Sequence, residues 1–365
     1  MLIYDLPMQY TAVDYYGRAL PIPSLGLPIP KPRDLPPASE SGPDNEDVPE
    51  TQAELENLSR LRSGFWLLIW GDPARYVENW LDDHRFVVGD YWLGSDMHLK
   101  HYRPGPIHGS EGRLPGGLPV GKDFGPMRLG QVRGGEIQPG SPLLVETMWQ
   151  VSTTPIKNYS VSAQLLDETG RRVAQADGRP FDGAFDTSNW APTDSYPDAT
   201  SLQIPGGLAP GEYHLAISVY DGRLSLGQQT VMALPYLPGS STGFQGKAVT
   251  NAGWTIDRVR LGTGASGALV VVVTGVVNSS PDRAYTWFAH VLDRQGRLLA
   301  QDDHPPVSGT MSWRAGDPIQ EVFQMPDPGA SQVEIGAYDA RGTRVQFQVD
   351  GTMSDHLLID PHEHI

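Results

Sequence analysis

Cysteine is absent from the 365 residues of this chain. Its absence excludes disulfide bonds, thiolate metal sites and cysteine nucleophiles. Clusters of lysine and arginine are also missing, and the formal net charge at pH 7 is -16. Affinity for a phosphate backbone comes from such clusters, so the sequence predicts no nucleic-acid partner.

Long hydrophobic runs are lacking as well. The two longest are "FWLLIW" at 65–70 and "ALVVVV" at 268–273. Both fall far short of the roughly 20 apolar residues that a membrane helix needs. The sequence therefore predicts no transmembrane segment in this chain.

Glycine and proline, by contrast, are plentiful, with 41 and 33 residues. They are spread between short apolar runs, which is typical of many turns that join short strands. Because single cores stop growing at roughly 250 residues, the length predicts two or three domains. We expect a mainly β protein.

Residues 1–103 differ from the rest of the chain in their pattern of apolar and polar residues. Helical patterns over 51–64 and 72–84 flank the buried-strand pattern of "FWLLIW", which indicates a small, partial α/β unit. Thr51 and Glu54 form a capping box that predicts the start of the first helix, and Asp72 is the predicted cap of the second. The predicted inner stripe of the second helix is Tyr76, Val77, Trp80 and Leu81. An acidic, proline-rich linker is predicted at 21–50. The opening "LIYDLPMQYTAVDYYGRAL" has the pattern of a strand and a helix from the second half of such a unit. We therefore expect Met1 to mark a truncation, an internal start or a decayed gene.

The remainder of the chain contains a long internal repeat. The segment at 159–180 aligns with 285–306 without a gap, 126 residues further on. The match continues with small deletions, pairing Trp190 with Trp313 and "AISVYD" at 216–221 with "IGAYDA" at 335–340. A repeat of this length indicates two copies of a whole domain. The identical pairs in the ungapped part are Tyr159/Tyr285, Ala163/Ala289, Leu166/Leu292, Asp167/Asp293, Gly170/Gly296, Arg171/Arg297, Ala174/Ala300, Gln175/Gln301, Asp177/Asp303 and Pro180/Pro306.

Each copy reads as a set of short strands with turn signals between them. Asp and Gly separate alternating runs in "LLDETG" and "VLDRQG", a hairpin signal. We predict two tandem antiparallel β-sandwich domains, at 104–235 and 236–365, with an immunoglobulin-like or jelly-roll arrangement.

Tryptophans are the first candidates for a binding site. Trp190 and Trp313 occupy equivalent positions in the two copies, and Trp254 lies in a predicted strand. An exposed tryptophan on a sandwich face can stack on a sugar ring, whereas one in an alternating strand is more often part of the core. The repeat itself favours a shared structural role for Trp190 and Trp313.

Carboxylates form the second candidate group. Asp177, Asp182 and Asp186 lie in one stretch of the first copy, and Asp302 and Asp303 lie in the matching stretch of the second. They could bind calcium, which takes six to eight oxygen ligands, but the spacing of a calcium loop is missing and a solvated loop is favoured. No other cofactor is indicated. No catalytic Ser, His and Asp set stands out, and no single acid pair is distinguished from the others.

Several segments occur in an order that resembles a known family: "IYDLPMQYTAVDYYGRAL", "FWLLIWGDPARYVENWLDDH", "WLGSDMHLKHYRP", "GGEIQPGSPLLVETMWQVS" and "LLDETGRRVAQADGRP". Together they resemble the extracytoplasmic C-terminal part of bacterial membrane glycosyltransferases of the dolichyl-phosphate-mannose mannosyltransferase type, family 39, built on the GT-C fold. That family's catalytic acids lie in a loop after its first membrane helix, which this sequence lacks. The resemblance therefore carries over no catalytic residue, and it implies a location outside the cytoplasmic membrane and near glycans.

These observations leave three functions open. The first is a non-catalytic extracytoplasmic binding or spacer module, in the periplasm or at the cell surface, with a cell-envelope glycan or a membrane protein as its partner. The second is a structural or interaction subunit of a cell-surface protein assembly. The third is a soluble glycan-active enzyme. For the first, a tether to the membrane through a preceding segment or a partner is expected.

Overall fold

The structure is a computed structural model of the chain. It is mainly β, with an α/β unit followed by two β-sandwiches, which confirms the predicted fold class. The helix predicted within 10–20 and most of the linker predicted at 21–50 lie outside the described residues. The structure describes residues 2–4, 24–26, 48–61, 64–70, 75–93, 95, 97–109, 112–222, 224–327 and 329–361.

The α/β unit has one mixed sheet with two helices on one of its faces. The strand order is β2-β1-β3-β5-β4, in which β2, β1 and β3 are parallel and β5 runs antiparallel to both of its neighbours. The elements are β1 (Leu2–Tyr4), β2 (Ser24–Gly26), α1 (Val48–Leu61), β3 (Phe65–Trp70), α2 (Tyr76–His84), β4 (Arg85–Trp92) and β5 (Met97–Pro104).

Alternation along β3 decides which face the helices cover. Phe65, Leu67 and Ile69 are buried and share one core with Leu55 of α1 and Leu81 of α2. Trp66 and Leu68 point to the other face and are half-buried.

Both helix starts differ from the expected positions. Helix α1 begins at Val48, so Thr51 lies inside the first turn and not at the predicted start. The predicted cap of α2 at Asp72 lies outside the described residues, and α2 begins at Tyr76 after Arg75, which has φ 55°.

The first sandwich packs a five-stranded sheet, β6-β12-β9-β8-β7, against a four-stranded sheet, β11-β10-β13-β14. Both sheets are antiparallel. Its strands are β6 (Ile107–His108), β7 (Leu118–Phe124), β8 (Met127–Gly134), β9 (Pro142–Val151), β10 (Ser160–Leu166), β11 (Arg172–Gly178), β12 (Asp194–Gln203), β13 (Gly211–Asp221) and β14 (Leu224–Tyr236).

The second sandwich repeats this topology. Its sheets have the orders β20-β17-β16-β15-β22-β23 and β19-β18-β21-β24, so that β15 to β21 correspond to β7 to β13. Its strands are β15 (Ser241–Thr250), β16 (Trp254–Thr263), β17 (Leu269–Val277), β18 (Tyr285–Leu292), β19 (Leu298–His304), β20 (Pro318–Met325), β21 (Gln332–Asp339), β22 (Phe347–Val349), β23 (Thr352–Ser354) and β24 (Leu357–Ile359).

A tyrosine at the start of β13 identifies the sandwich type. The hydroxyl of Tyr213 donates a hydrogen bond to the carbonyl of Ala209, four residues upstream, at 2.6 Å. This tyrosine corner is typical of immunoglobulin-like sandwiches, and the strand order fits the same Greek-key arrangement. Of the two predicted arrangements, the immunoglobulin-like one is the better description.

Strand pairing corrects the end of the repeat alignment by one residue. Ala163 faces Ile217 across β10 and β13, and its counterpart Ala289 faces Ile335 across β18 and β21. Residues 216–221 therefore correspond to 334–339, not to 335–340. In this register Asp221 matches Asp339. Asp221 forms an ion pair with Lys157, and Asp339 forms one with Arg283, the residue 126 positions further on.

The two sandwiches contact each other through apolar and polar groups. Val270, Val272 and Val322 of the second sandwich are buried against Ala233 and Leu237. The amide of Gln320 donates to the carbonyl of Ala233 at 2.8 Å. The two sandwiches thus share a small buried apolar contact and a hydrogen bond.

Candidate functional site

The three tryptophans proposed for glycan stacking are core residues. Trp190 and Trp254 are completely buried, and Trp313 is 3% exposed. Trp190 stacks on Tyr196 at 4.2 Å between ring centroids, and Trp254 packs against Trp287 and Trp313. A buried indole presents no ring face to a sugar, so the stacking prediction is wrong for these residues, and the alternative core interpretation holds.

The aspartates of the first predicted calcium site have separate partners. Asp182 forms an ion pair with Arg103 at 2.9 Å, and Asp186 with Arg179 at 3.2 Å. Asp177 accepts hydrogen bonds from the side-chain amide of Gln175. The three carboxylates thus do not converge on one point.

Asp302 and Asp303 point in different directions because they are neighbours in strand β19. Asp302 contacts His304 and accepts a hydrogen bond from the backbone of Gln324, whereas Asp303 contacts His290. In the part of the chain that the structure describes, no three His, Asp or Glu side chains are grouped as a metal would need. The predicted calcium ligands are therefore not brought together.

An exposed aromatic group lies instead at one end of the α/β sheet. Trp92 is 66% exposed, and its indole stacks on the ring of His98 with 4.5 Å between centroids and 18° between planes. Nδ1 of His98 lies 3.0 Å from Oδ1 of Asp90. We call Asp90, Trp92 and His98 the aromatic edge.

The strands position this group through their register. Trp92 and His98 are directly opposite each other on β4 and β5, and Asp90 lies two residues before Trp92 on the same face. Trp92 is the last residue of β4, which runs parallel to β3. The carboxyl ends of such strands form the edge at which open α/β sheets bind ligands.

Strand β5 is anchored from the helix side, which holds the hairpin in place. Nζ of Lys100 lies 2.6 Å from Oε1 of the buried Glu78 in α2. The hydroxyl of Tyr102 donates to Oδ1 of Asp82 at 2.6 Å. Burial, together with the bond to Asp82, raises the pKa of Tyr102 far above its usual range, so this hydroxyl stays protonated.

The opposite face of the hairpin carries a second stacked pair. Trp66 and His101 are parallel within 4°, with 4.2 Å between centroids, and Tyr91 lies 6.0 Å from Trp66. Burial, with the nearby charge of Arg103, lowers the pKa of His101 to about 4. The imidazole is therefore neutral at pH 7 and stacks as an uncharged ring.

Sequence reasoning missed the aromatic edge because it gave weight to positions shared by the two repeats. The available signal was "DYWLGSDMH", in which two adjacent aromatic residues precede a short turn. Adjacent residues of a strand face opposite ways, so at most one of Tyr91 and Trp92 could face the helices. That argument identifies Tyr91 as a ring on the face without helices, but it does not identify Trp92, which shares its face with Lys100 and Tyr102.

A second candidate is a cavity of about 260 Å³ between the two sandwiches, which we call the acidic pocket. Its lining includes Glu212 and His214 from the first sandwich and Asp302, His304 and Glu321 from the second. The imidazole of His304 lies between two carboxylates, with Nδ1 3.1 Å from Asp302 and Nε2 3.5 Å from Glu321.

Burial and charge shift the protonation of these groups strongly. Burial, with the negative charge of Asp302, raises the pKa of Glu212 to about 7. Burial alone would lower the pKa of His304, but its bonds to Asp302 and Glu321 outweigh burial and raise it to about 10. At neutral pH the pocket thus combines an imidazolium with a carboxyl group that is about half protonated.

The described helices include none with the length and apolar character needed to cross a membrane. No protein-family model matches the chain, and a search of curated proteins finds no match either.

The solved structures found by comparison resemble the chain only weakly. A β-glucuronidase from Ruminococcus gnavus shares 15% identity over 42% of this chain and 20% of its own, with a TM-score of 0.19. The native E. coli alpha-2-macroglobulin shares 9% identity over 74% of this chain and 16% of its own, at 0.23. The C-terminal domain of the Streptococcus agalactiae AgI/II polypeptide BspA shares 10% identity over 64% of this chain and 98% of its own, at 0.18. The chain spans a fifth or less of the first two proteins, and TM-scores this low carry no argument about its function.

Proposed function

We propose that this chain is a non-catalytic, extracytoplasmic glycan-binding module whose aromatic edge stacks on a sugar ring of the cell envelope. The observation that carries the proposal is the exposed indole of Trp92, backed by His98. The two immunoglobulin-like sandwiches then act as a spacer that holds the edge away from the membrane. The resemblance to membrane glycosyltransferases supports the same setting, with such a transferase as the partner that tethers the module.

The chemistry of the edge suits a carbohydrate. One face of the indole rests on His98, and the ring remains 66% exposed, so its other face can cover the C–H groups of a pyranose. Asp90 has a side chain that is 42% exposed and can accept hydrogen bonds from sugar hydroxyls beside the ring. His98, at 12% exposure, holds the indole in a fixed orientation and lowers the entropy lost on binding.

A binding assay with paired variants tests this proposal. The full chain is applied to a glycan array and to purified cell-envelope polysaccharide, and hits are followed by titration. We expect Trp92→Ala to weaken binding by about tenfold or more, since truncating a central aromatic anchor typically costs that much. Leu224→Ala, a change at a residue that is 62% exposed on β14, is the matched control and is expected to have no effect. No hit on the array, or equal loss in both variants, would refute the proposal.

The acidic pocket favours a second candidate function, glycoside hydrolysis. A general acid must be protonated near the working pH, and the pKa of Glu212 is raised to about 7. Asp302, whose pKa is lowered through its bonds to His304 and the backbone of Gln324 despite its burial, supplies a carboxylate in the same cavity. Under this function Glu212→Gln would abolish hydrolysis of a panel of aryl glycosides. The absence of wild-type turnover on that panel would eliminate the hydrolase.

A further inference from the structure

Three arginines line another cavity between the sandwiches, which shares Pro119 and Trp313 with the acidic pocket. Arg113 precedes β7, Arg128 lies in β8, and Arg314 lies in the turn before β20. Together they line a space of about 510 Å³, which we call the arginine cleft. Small-molecule sites have volumes of roughly 300–1,000 Å³, so the cleft is large enough for such a ligand.

The charge of the cleft is opposite to that of the whole chain. The chain has a net charge of -16, whereas the lining of the cleft holds three arginines and one acid, Asp317. Asp317 is only 3% exposed, and its two carboxylate oxygens contact Arg113 at 3.3 Å and the backbone N–H of Arg314 at 2.7 Å. Asp317 therefore neutralises Arg113, and Arg128 and Arg314 are the two lining arginines whose charge Asp317 does not balance.

Arg128 has a partner that a ligand can replace. Its guanidinium contacts Asp123 at 2.8 Å, but the two side chains are 47% and 66% exposed. An ion pair this exposed contributes roughly 1 kcal/mol or less. A carboxylate or phosphate held by two guanidinium groups in the cleft can compete with it.

Neutral polar groups complete the lining. Gln131, Gln150, Ser280 and Ser312 line the cleft with polar side chains, and Met148 supplies part of the apolar wall. Gly121 has φ +62°, and a Cβ there would come within 3.2 Å of Nη2 of Arg128. A glycine at this position thus leaves the guanidinium free to turn toward the cleft.

We propose that the arginine cleft binds a small ligand through a compact oxyanion, either a carboxylate or a phosphate group. Arginine suits this role because its planar donors match such oxygens in pairs. An acidic saccharide and free phosphate carry the same chemistry, and the test separates them. The inference does not depend on the aromatic edge, which lies in another domain and acts by stacking.

Calorimetric titration of the full chain at low ionic strength tests the proposal, with D-glucuronate, inorganic phosphate and uncharged glucose as the probes. We expect saturable binding of at least one anion, in the millimolar range or tighter, and no glucose binding that depends on the arginines of the cleft. Glucuronate alone would indicate an acidic saccharide, and phosphate alone would indicate phosphate. Binding should weaken with added salt because the attraction is electrostatic.

Arg128→Gln and Arg314→Gln are each expected to weaken anion binding by about tenfold, the effect of losing one charge-assisted contact. Both residues are exposed, so these changes should leave the fold intact. Exposed Arg341→Gln is the matched control outside the cleft and should bind as the wild type does. Lack of saturable binding by either anion, or equal affinity of the cleft variants and the Arg341 control, would overturn the proposal.

Discussion

One buried threonine has the same role in each sandwich. Oγ1 of Thr187 accepts a hydrogen bond from the backbone N–H of Tyr159 at 2.9 Å and lies 3.3 Å from the carbonyl of Lys157. Thr310 makes the same pair of contacts, with Tyr285 at 3.0 Å and Arg283 at 3.2 Å. Each threonine therefore ties a short helical turn to the start of a core strand.

Removing this hydroxyl should destabilise the sandwich that contains it. Thr187→Ala leaves the buried N–H of Tyr159 without its acceptor, which typically costs about 1–3 kcal/mol. Thr193→Ala, at an exposed position six residues further along the chain, is the control and should change stability by about 0.5 kcal/mol or less. Urea unfolding followed by tryptophan fluorescence measures both, and equal midpoints for the two variants would contradict the expectation.

The residues shared by the two repeats could be predicted, but their role could not. Asp167 and Asp293 each accept backbone and guanidinium hydrogen bonds within their own turns, from Arg171 and Arg297 among others. Their place in a turn followed from the Asp and Gly pattern alone. The burial of Trp190 could not be derived from alternation, because this residue follows the short helical turn at 187–189 and precedes β12.

At the scale of the element, close approach between strands explains one glycine of the second sandwich. Gly275 lies in β17 opposite Ile256, beside the irregularity in the pairing with β16. A Cβ built on Gly275 would lie 2.1 Å from the carbonyl oxygen of Thr255. Since that neighbour is backbone, the two strands would have to separate to admit any side chain.

Gly275→Ala should therefore be destabilising by about 1–3 kcal/mol, the usual cost of overpacking. Gly178, in the edge strand β11, has no atom within 4 Å of its ideal Cβ position, so Gly178→Ala is the matched control. It should be neutral or slightly stabilising because alanine restricts the unfolded chain. Thermal unfolding by circular dichroism compares them, and an unchanged melting temperature for Gly275→Ala would show that the strands can move apart.

Elements with a strong local pattern were predicted well, and their boundaries less so. The apolar run of β3 and the inner stripe of α2 at Val77, Trp80 and Leu81 match the structure. The predicted start of α1 was three residues too late, because Thr51 and Glu54 have the spacing of a capping box but the helix begins at Val48. A local motif cannot reveal such an extension when residues outside the motif also adopt helical geometry.

At the scale of the whole molecule, the acidic pocket and the arginine cleft lie where distant segments meet. Arg113 contacts Asp317, and Gln320 contacts Ala233, across gaps of more than 80 residues. Composition and repeat length predicted two sandwiches in tandem. They held no information about how the sandwiches dock, since the contacting residues differ between the copies and follow no shared pattern.

Docking gives the molecule a pH dependence that one residue should dominate near neutrality. The carboxyl of Glu212, in the first sandwich, lies near the charged groups Asp302, His304 and Glu168. The backbone N–H of Glu212 donates a hydrogen bond to the side chain of Gln324. Its pKa is raised from 4.5 to about 7, so the folded protein binds more protons than the unfolded chain between these values. The contribution of Glu212 to stability therefore falls as pH rises from about 4.5 to 7, and it stays lower above that range.

Glu212→Gln removes this ionisation while keeping the size of the side chain. We expect the variant and the wild type to be similar in stability at pH 5, and the variant to be more stable at pH 8 by on the order of 2 kcal/mol. Glu136→Gln, at an exposed position, is the control and should show no such pH-dependent gain. Urea unfolding of all three proteins at pH 5, 6, 7 and 8 measures the effect. A constant difference in the free energy of unfolding between Glu212→Gln and wild type across this range would mean that the carboxyl of Glu212 is ionised at every pH tested. The interface between the sandwiches would then be more open to solvent than its geometry implies.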